Sequence, residues 1–193
     1  QTIQPGGAKF FATGSKKESN FHVVDSEHRG LAALDAVTAI VIAEGYATAD
    51  TLSQALSCPV VAAFDSGNLL KVAQVLQKKY PHKPIVIAGD DDLTQESING
   101  KNPGKEKAME AAQLVNGAVV LPIFAPGEQM SQQLSDFNDL ANKSVLGIEA
   151  VKRQVGSVVE KVSQQAKQDS LLKLQAPIEP KKKKKKKKRA LVR

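Results

Sequence analysis

Four short apolar runs alternate with segments of helical periodicity, and this alternation restricts the fold more than any other feature. The runs span residues 38–43, 59–64, 84–89 and 117–124. The helices predicted between them span about 47–56, 68–80 and 103–115. Strands that alternate with such helices favour right-handed crossovers and a parallel sheet, and runs that are apolar throughout suit strands buried on both faces. We therefore predict an α/β fold in which helices sandwich a mainly parallel, four-stranded sheet.

The segments around this core follow other patterns. Lys9–Ala12 and Asn20–Val24 are short alternating pieces that predict an N-terminal β-hairpin, with two separate short strands as the alternative. Residues 93–102 and 126–135 are polar and are predicted to be loops. An apolar stripe at spacings of three and four then predicts a long C-terminal helix. Core packing is the default interpretation of this stripe, and a seam with a partner helix is the alternative. The stripe comprises Ile148, Val151, Val155, Val158 and Val162.

The net charge of +7 comes from the C-terminal tail. Residues 181–193 carry ten of the 27 basic residues and no acidic ones, so residues 1–180 hold 17 basic and 20 acidic residues. A run of lysines repels itself and is expected to be disordered alone. Such a run attracts nucleic acid, with a solvated linker as the alternative; membrane binding is disfavoured because no apolar anchor accompanies it. The nucleic-acid candidates in the tail are Lys181, Lys182, Lys183, Lys184, Lys185, Lys186, Lys187, Lys188 and Arg189.

Together these patterns predict four regions. They are an N-terminal hairpin and linker (1–37), an α/β core (38–142), a C-terminal helix (143–175) and a basic disordered tail (176–193). No stretch approaches the roughly 18 apolar residues of a membrane span, and a single cysteine fits a cytoplasmic protein. The chain begins with glutamine and shows no signal peptide. We therefore expect it to be part of a longer protein.

Acidic groups directly follow the first and the third apolar runs. Glu44 and Gly45 follow the first run, and Asp90, Asp91 and Asp92 follow the third. The carboxyl ends of parallel strands face the crevice where ligands bind. Because residues i and i+2 of a strand share a face, Asp90 and Asp92 are expected to lie together, with Asp91 diverging and Glu44 within reach if the strands are neighbours. Three such carboxylates suit Mg²⁺ (or Mn²⁺) and a substrate phosphate. Alternatives are a general acid or base role for Glu44 and a solvated turn or helix cap for the aspartates.

Other polar residues border the same edge of the predicted sheet. Asp65 and Asn68 follow the second run, and Asp136 and Asp139 follow the fourth. Helix caps and turns are the favoured interpretation of both groups, with a place at the crevice as the alternative. Lys105 lies in the first turn of the third predicted helix, where a helix N-terminus attracts phosphate.

Glycines adjoin both groups of carboxylates. Gly45 and Gly89 permit tight turns and the close approach of a ligand to the backbone. The segment around Lys105 contains two further glycines but is not a P-loop, because both the glycine spacing and the residue after the lysine differ. We therefore exclude an ATPase of that class.

The combination of Glu44-Gly45 after one strand with Asp90-x-Asp92 after another resembles the Toprim domain of primases and topoisomerases. The segment from Gln4 through Leu140 is most similar to the Toprim region of plasmid conjugative DNA primases. The pieces that carry this similarity are Gly7–Phe11, Ile42–Thr48, Ala63–Leu69, Ala88–Asp92, Asn102–Lys105 and Asp136–Leu140.

The resemblance implies a Rossmann-like Toprim sheet between helices and a site that binds Mg²⁺ through its acidic residues. Carried over by position, Glu44, Asp90 and Asp92 are the catalytic and metal-binding residues. The implied function is primer synthesis from nucleotides on DNA, expected to be single-stranded, within a larger bacterial plasmid protein. The alternatives are a non-catalytic module for DNA binding or assembly that keeps the fold, and a Toprim nuclease. The chain departs from replicative primases in the polar stretch 93–101 and in lacking a zinc-binding module.

Overall fold

The computed structural model describes residues 2–4 and 9–175. Its strands are β1 Thr2–Ile3, β2 Lys9–Phe10, β3 His22–Val24, β4 Ile40–Ala43, β5 Val60–Ala62, β6 Ile85–Ala88 and β7 Ala118–Val120. Its helices are a 3-10 helix at Gly30–Asp35, α1 Tyr46–Leu56, α2 Ser66–Lys79, α3 Leu93–Asn99, α4 Pro103–Leu114, α5 Glu128–Gln132, α6 Phe137–Asn142 and α7 Gly147–Gln175. The predicted basic tail lies outside the described residues.

The central sheet has five strands in the order β3-β5-β4-β6-β7. Strands β4 to β7 are parallel, which confirms the predicted α/β architecture. The added strand is β3, which is antiparallel to β5, with His22 opposite Ala62. The sequence patterns had assigned β3 to an N-terminal hairpin, but β2 pairs instead with β1. Strand β3 joins the main sheet because Val23 and Val24 are buried on its two faces.

Both faces of the sheet are covered, so the side chains of each central strand alternate between two apolar cores. Val41 and Ala43 of β4 point toward the layer that contains α1, α6 and α7. Ile40 and Ile42 point toward the layer that contains α2, α4 and the 3-10 helix. All four side chains are almost completely buried. This two-sided burial explains why the strands are apolar throughout.

Helix α7 packs along the sheet through its first half. Val151 and Val155 are fully buried, and Ser163 donates a hydrogen bond from Oγ to Oγ1 of Thr38 at 3.0 Å. Core packing of the apolar stripe is therefore confirmed for these positions, whereas Ile148 at the start of the helix is 39% exposed. Within the described residues, no helix is both long and apolar enough to cross a membrane.

Two segments that were predicted to be loops contain short helices, α3 and α5. Asp92 caps α3 by accepting a hydrogen bond from the amide of Gln95, and Gly100 ends this helix with a φ of 69°. Neither α3 nor α5 has a buried side chain. Because neither helix buries an apolar face, neither segment shows the hydrophobic periodicity by which the other helices were predicted.

Candidate active site

The two acidic groups meet at the carboxyl edge of the sheet. Strands β4 and β6 are hydrogen-bonded neighbours, with Ala43 opposite Ala88. Glu44 follows directly after β4, and Asp90 lies two residues beyond β6. Both side chains are partly buried. The structure therefore confirms that the two strands are neighbours and brings Glu44 and Asp90 to the same edge.

The remaining two aspartates differ from the expectation based on strand alternation. Because β6 ends at Ala88, alternation does not extend through the acidic run. Asp92 is the N-cap of α3, and its Oδ1 accepts a hydrogen bond of 2.8 Å from the amide of Gln95. Asp91 donates its amide to the carbonyl of Ser135 at 2.7 Å. The reason for setting Asp91 apart was therefore wrong, and the alternative interpretation as a helix cap holds for Asp92.

A buried asparagine, Asn102, organises the acidic loop, by which we mean Asp90, Asp91 and Asp92 after β6. Its Nδ2 donates to Oδ1 of Asp91 at 2.8 Å and to Oε2 of Glu96 at 3.0 Å. Its Oδ1 accepts from the amide of Asp92 at 3.3 Å and, as the N-cap of α4, from the amide of Lys105 at 3.4 Å. From the sequence, Asn102 was placed at the start of the third predicted helix but was not included among the site residues. An asparagine followed by proline at the start of a predicted helix was the available signal, because Asn favours the cap and Pro the first turn.

Lys105 supplies positive charge to the same loop. Its Nζ lies 3.5 Å from Oδ1 of Asp91 and 3.9 Å from Oε2 of Glu96. The start of α4 packs closely on the loop, because a Cβ atom added to Gly104 would lie 3.1 Å from Cβ of Asp90. The structure thus brings Lys105 to the acidic loop through the first turn of α4.

The two glycines beside the carboxylates have different roles. Gly89 gives space to α4 and the segment after β7, since an added Cβ would lie 2.5 Å from Cβ of Ala108 and 3.0 Å from Cδ2 of Leu121. Packing within the fold therefore requires a glycine at position 89. Gly45 is the N-cap of α1 with a φ of −93°. Other residues adopt this angle readily, so backbone strain does not require a glycine there.

Asp65 and Asn68 fasten the N-terminal segment to the carboxyl end of β5. Asp65 caps α2, accepting from the amide of Gly67 at 2.9 Å, and its Oδ2 lies 2.7 Å from Nζ of Lys17. Asn68 is buried. Its Nδ2 lies within 3.0 Å of the carbonyl oxygens of Lys17, Asn20 and Ala63, and its Oδ1 accepts from the amide of Ser19 at 2.8 Å. Capping was the favoured interpretation of Asp65, and the structure bears it out.

Asp136 and Asp139 fasten α6 to α1 and to its own first turn. Asp136 caps α6 through Oδ1, and its Oδ2 accepts a hydrogen bond of 3.0 Å from Oγ1 of Thr48. Burial raises the pKa of the Asp136 carboxyl above its usual range, and the nearby charge of Asp139 acts in the same direction. Asp139 accepts from the amide of Ser135 at 3.0 Å and forms an ion pair of 2.8 Å with Lys143. Both aspartates have the structural roles expected of caps.

The acidic residues at the edge have the chemistry that a divalent cation needs. Carboxylate oxygens from Glu44, Asp90 and Asp92 are hard donors of the kind that Mg²⁺ prefers. In the part of the chain that the structure describes, no group of three His, Cys, Asp or Glu side chains is assembled to hold a metal ion. Mg²⁺ in phosphoryl-transfer sites commonly uses one or two carboxylates, with waters and substrate phosphates as the other ligands. The donor set therefore fits Mg²⁺ in that open manner.

Comparison with known families places this edge in context. A family model described as "Toprim domain" matches residues 39–145, which include Glu44, the acidic loop and Asn102. The chain belongs to the Toprim domain family. Two curated relatives of this Toprim chain are both named DNA primase TraC, from Escherichia coli. One is 39% identical over 224 aligned residues, covering 87% of this chain and 15% of the relative. The other is 42% identical over 218 aligned residues, covering 84% and 20%.

The Toprim chain thus spans a fifth or less of the length of these relatives. No solved structure matches it.

Proposed function

We propose that this Toprim domain performs nucleotidyl transfer in primer synthesis on DNA, as part of a larger primase-type protein. The observation that carries the proposal is the position of Glu44 and Asp90 after two neighbouring parallel strands. That edge of an open α/β sheet is where ligands bind. Similarity to two proteins named DNA primase TraC over most of the chain supports the same function. The proposal also includes single-stranded DNA and nucleotides as partners and further domains in the parent protein. It places that protein in plasmid conjugation and in the cytoplasm.

In this proposal Glu44, Asp90 and Asp92 hold Mg²⁺ (or Mn²⁺). When bound, the ion neutralises the charge on the transferring phosphoryl group. Asn102 fixes the acidic loop through its bonds to Asp91 and Asp92. Its neighbour in α4, the Lys105 ammonium, offsets the repulsion between the carboxylates of the loop.

Conservative substitution of the two central carboxylates tests the proposal. In the full-length parent protein, Glu44→Gln and Asp90→Asn should each lower primer synthesis at least about 100-fold, because the substitution removes the charge and keeps the shape. Circular dichroism and thermal unfolding should remain unchanged. Matched controls are Glu149→Gln and Asp169→Asn on the exposed surface of α7, which should retain activity. Wild-type activity in both central variants would refute the proposal.

One assay separates the alternative functions. The protein is incubated with labelled single-stranded DNA, ribonucleotides and Mg²⁺, with and without a chelator. Extension that the chelator abolishes supports primer synthesis. Cleavage of the labelled strand indicates a Toprim nuclease, and binding that the chelator leaves unchanged, without extension, indicates a non-catalytic module.

A further inference from the structure

Two phenylalanines that are adjacent in the chain, Phe10 and Phe11, are exposed. Among the residues that the structure describes, the exposed aromatic side chains are Phe10, Phe11 and Tyr46, at 55%, 38% and 40%. The whole chain contains only six phenylalanines, two tyrosines and no tryptophan. Exposing two neighbouring rings is costly for a domain so poor in aromatic residues, because each ring offers a large apolar area for burial. Adjacent exposed rings therefore point to a binding surface.

A third ring connects one of these phenylalanines, Phe11, to the edge of the sheet. The rings of Phe11 and Phe64 lie edge to face, with centroids 6.0 Å apart and planes at 87°. Phe64 follows β5 directly after Ala63, whose amide donates to the carbonyl of Ala43 at 2.9 Å. The next residue in the chain after that carbonyl is Glu44. The pair of Phe11 and Phe64 is therefore anchored at the same edge as the acidic residues, and Phe10 precedes Phe11 in the chain.

The backbone of Phe64 is strained. Its φ is 70°, in the left-handed region that bulky residues rarely adopt. Such strain persists only where the surrounding structure enforces it, and it is concentrated at functional sites. The strained backbone holds a partly buried ring beside Phe11.

Lysines accompany the rings. Nζ of Lys17 lies 5.7 Å from the centroid of the Phe11 ring and 2.7 Å from Oδ2 of Asp65. Lys16, the preceding residue, is exposed. The buried amide of Asn68 holds this segment through the carbonyl of Lys17. A fixed segment therefore presents one cation, Lys17, beside an aromatic face and a second, Lys16, next to it in the chain. Cations beside aromatic rings are the combination that binds single-stranded nucleic acid.

We propose that single-stranded DNA docks on the aromatic-lysine surface formed by Phe10, Phe11, Phe64, Lys16 and Lys17. Bases stack on the two exposed rings, and backbone phosphates meet the lysines. A duplex suits the surface less well, because its bases are already stacked on one another. The inference rests on the proposed function, since it supplies that function with a template contact beside Glu44.

Anisotropy measurements on the full chain with a labelled oligothymidylate test the surface. Phe10→Ala should weaken binding about tenfold, in line with the energy of one base-aromatic stack. Phe10→Tyr keeps an aromatic face and should bind like the wild type. Leu172→Ala, at an apolar position of α7 that is 65% exposed, is the control and should have no effect. Equal affinity of Phe10→Ala and the wild type would overturn the inference.

Salt and modified DNA separate stacking from the attraction of the basic tail. Over about 50–200 mM salt, Phe10→Ala should keep the salt slope of the wild type, because that slope reports phosphate contacts. With an abasic oligonucleotide or with duplex DNA, the wild type and Phe10→Ala should bind equally. A tenfold loss on those two substrates as well would overturn base stacking and indicate a general effect on the fold or on a protein-binding surface.

The surface and the proposed function fail in distinguishable ways. Glu44→Gln should bind single-stranded DNA normally and fail in synthesis, whereas Phe10→Ala should raise the template KM and keep kcat. If Phe10→Ala binds DNA normally and Glu44→Gln is inactive in synthesis, only the inference about the aromatic-lysine surface is overturned. Full synthesis by Glu44→Gln beside weak binding by Phe10→Ala would overturn the proposed function and leave the surface supported.

Discussion

Two buried asparagines lie at the carboxyl edge of the sheet, and they bind different kinds of partner. Asn68 and Asn102 are 2% and 3% exposed. All the bonds of the Asn68 side chain go to backbone groups, chiefly those of the N-terminal segment. The amide nitrogen of Asn102 instead donates to two carboxylates, those of Asp91 and Glu96. Asn68 therefore satisfies neutral backbone groups, whereas Asn102 fixes charges.

The neighbouring lysines repeat this difference. Lys17 pairs with Asp65, an aspartate that caps a helix and belongs to the framework of the fold. Lys105 lies against Asp91, within the loop that carries the candidate metal ligands. Asn68 and Asp65 thus hold the N-terminal segment in place on one half of the edge, whereas Asn102 and Lys105 position carboxylates on the other half. Variants of matching residues in the two halves should separate these roles.

The largest loss of stability is expected for Asn68→Ala. The substitution leaves several buried backbone groups without their partner, at a cost of about 2–4 kcal/mol in the free energy of unfolding. Urea denaturation measures this loss. The control is Asn142→Ala, an exposed asparagine that bonds within its own helix and should change stability by less than about 0.5 kcal/mol. A loss of less than about 1 kcal/mol in Asn68→Ala would contradict its framework role.

Asn102→Ala should cost less stability and more activity. Loss of the α4 cap and of the bonds to the acidic loop predicts a stability loss of about 2 kcal/mol. Asn102→Asp is the sharper variant, because its oxygen can still cap Lys105 while its charge repels Asp91 and Glu96. Urea denaturation should show that Asn102→Asp keeps most of the wild-type stability. Primer synthesis measured during a Mg²⁺ titration should show that this variant needs a higher Mg²⁺ concentration for half-maximal activity. If Asn102→Asp has wild-type Mg²⁺ dependence, Asn102 acts only as a cap.

The framework of this edge could be predicted from the sequence, because its signals are local. Apolar runs identified the central strands, and Glu44 and Asp90 were expected to lie together if those strands were neighbours, a condition that the pairing of β4 with β6 meets. The caps at Asp65 and Asp136 follow from their positions just before helices. These features depend on residues a few positions apart, so pattern alone identifies them.

The remaining features depend on contacts between distant segments. The pairing of β3 with β5 joins segments that are far apart in the chain, and nothing in either run specifies the partner. Asn102 reaches Asp91 across helix α3, whose own residues bury nothing. The role of Gly89 depends on Ala108 in another helix. Only the folded chain shows these contacts.

A smaller effect on stability is expected at Lys105. Lys105→Met should change the free energy of unfolding by less than about 1 kcal/mol, because the lysine is partly exposed and its ion pairs are long. Primer synthesis should fall about tenfold, as is common for residues that orient metal ligands. Lys107→Met is the control, since Lys107 is exposed and pairs with Glu110 on the same helix. Equal synthesis by the two variants would remove Lys105 from the site.

The smallest effect is expected at Asp136, where a carboxylate occupies a position that an amide could fill. Asn caps helices about as well as Asp, and its Nδ2 could donate to the hydroxyl oxygen of Thr48. Because burial raises the pKa of Asp136 in the folded protein, its stabilising contribution is complete below the unfolded pKa of about 4 and is lost as pH rises through the folded pKa. Asp136→Asn should therefore gain stability relative to the wild type as pH rises from about 4 to neutrality.

Urea denaturation across this range measures the gain, with exposed Asp169→Asn as the control. A difference between Asp136→Asn and the wild type that is constant with pH would show that the carboxyl does not carry the penalty of burial.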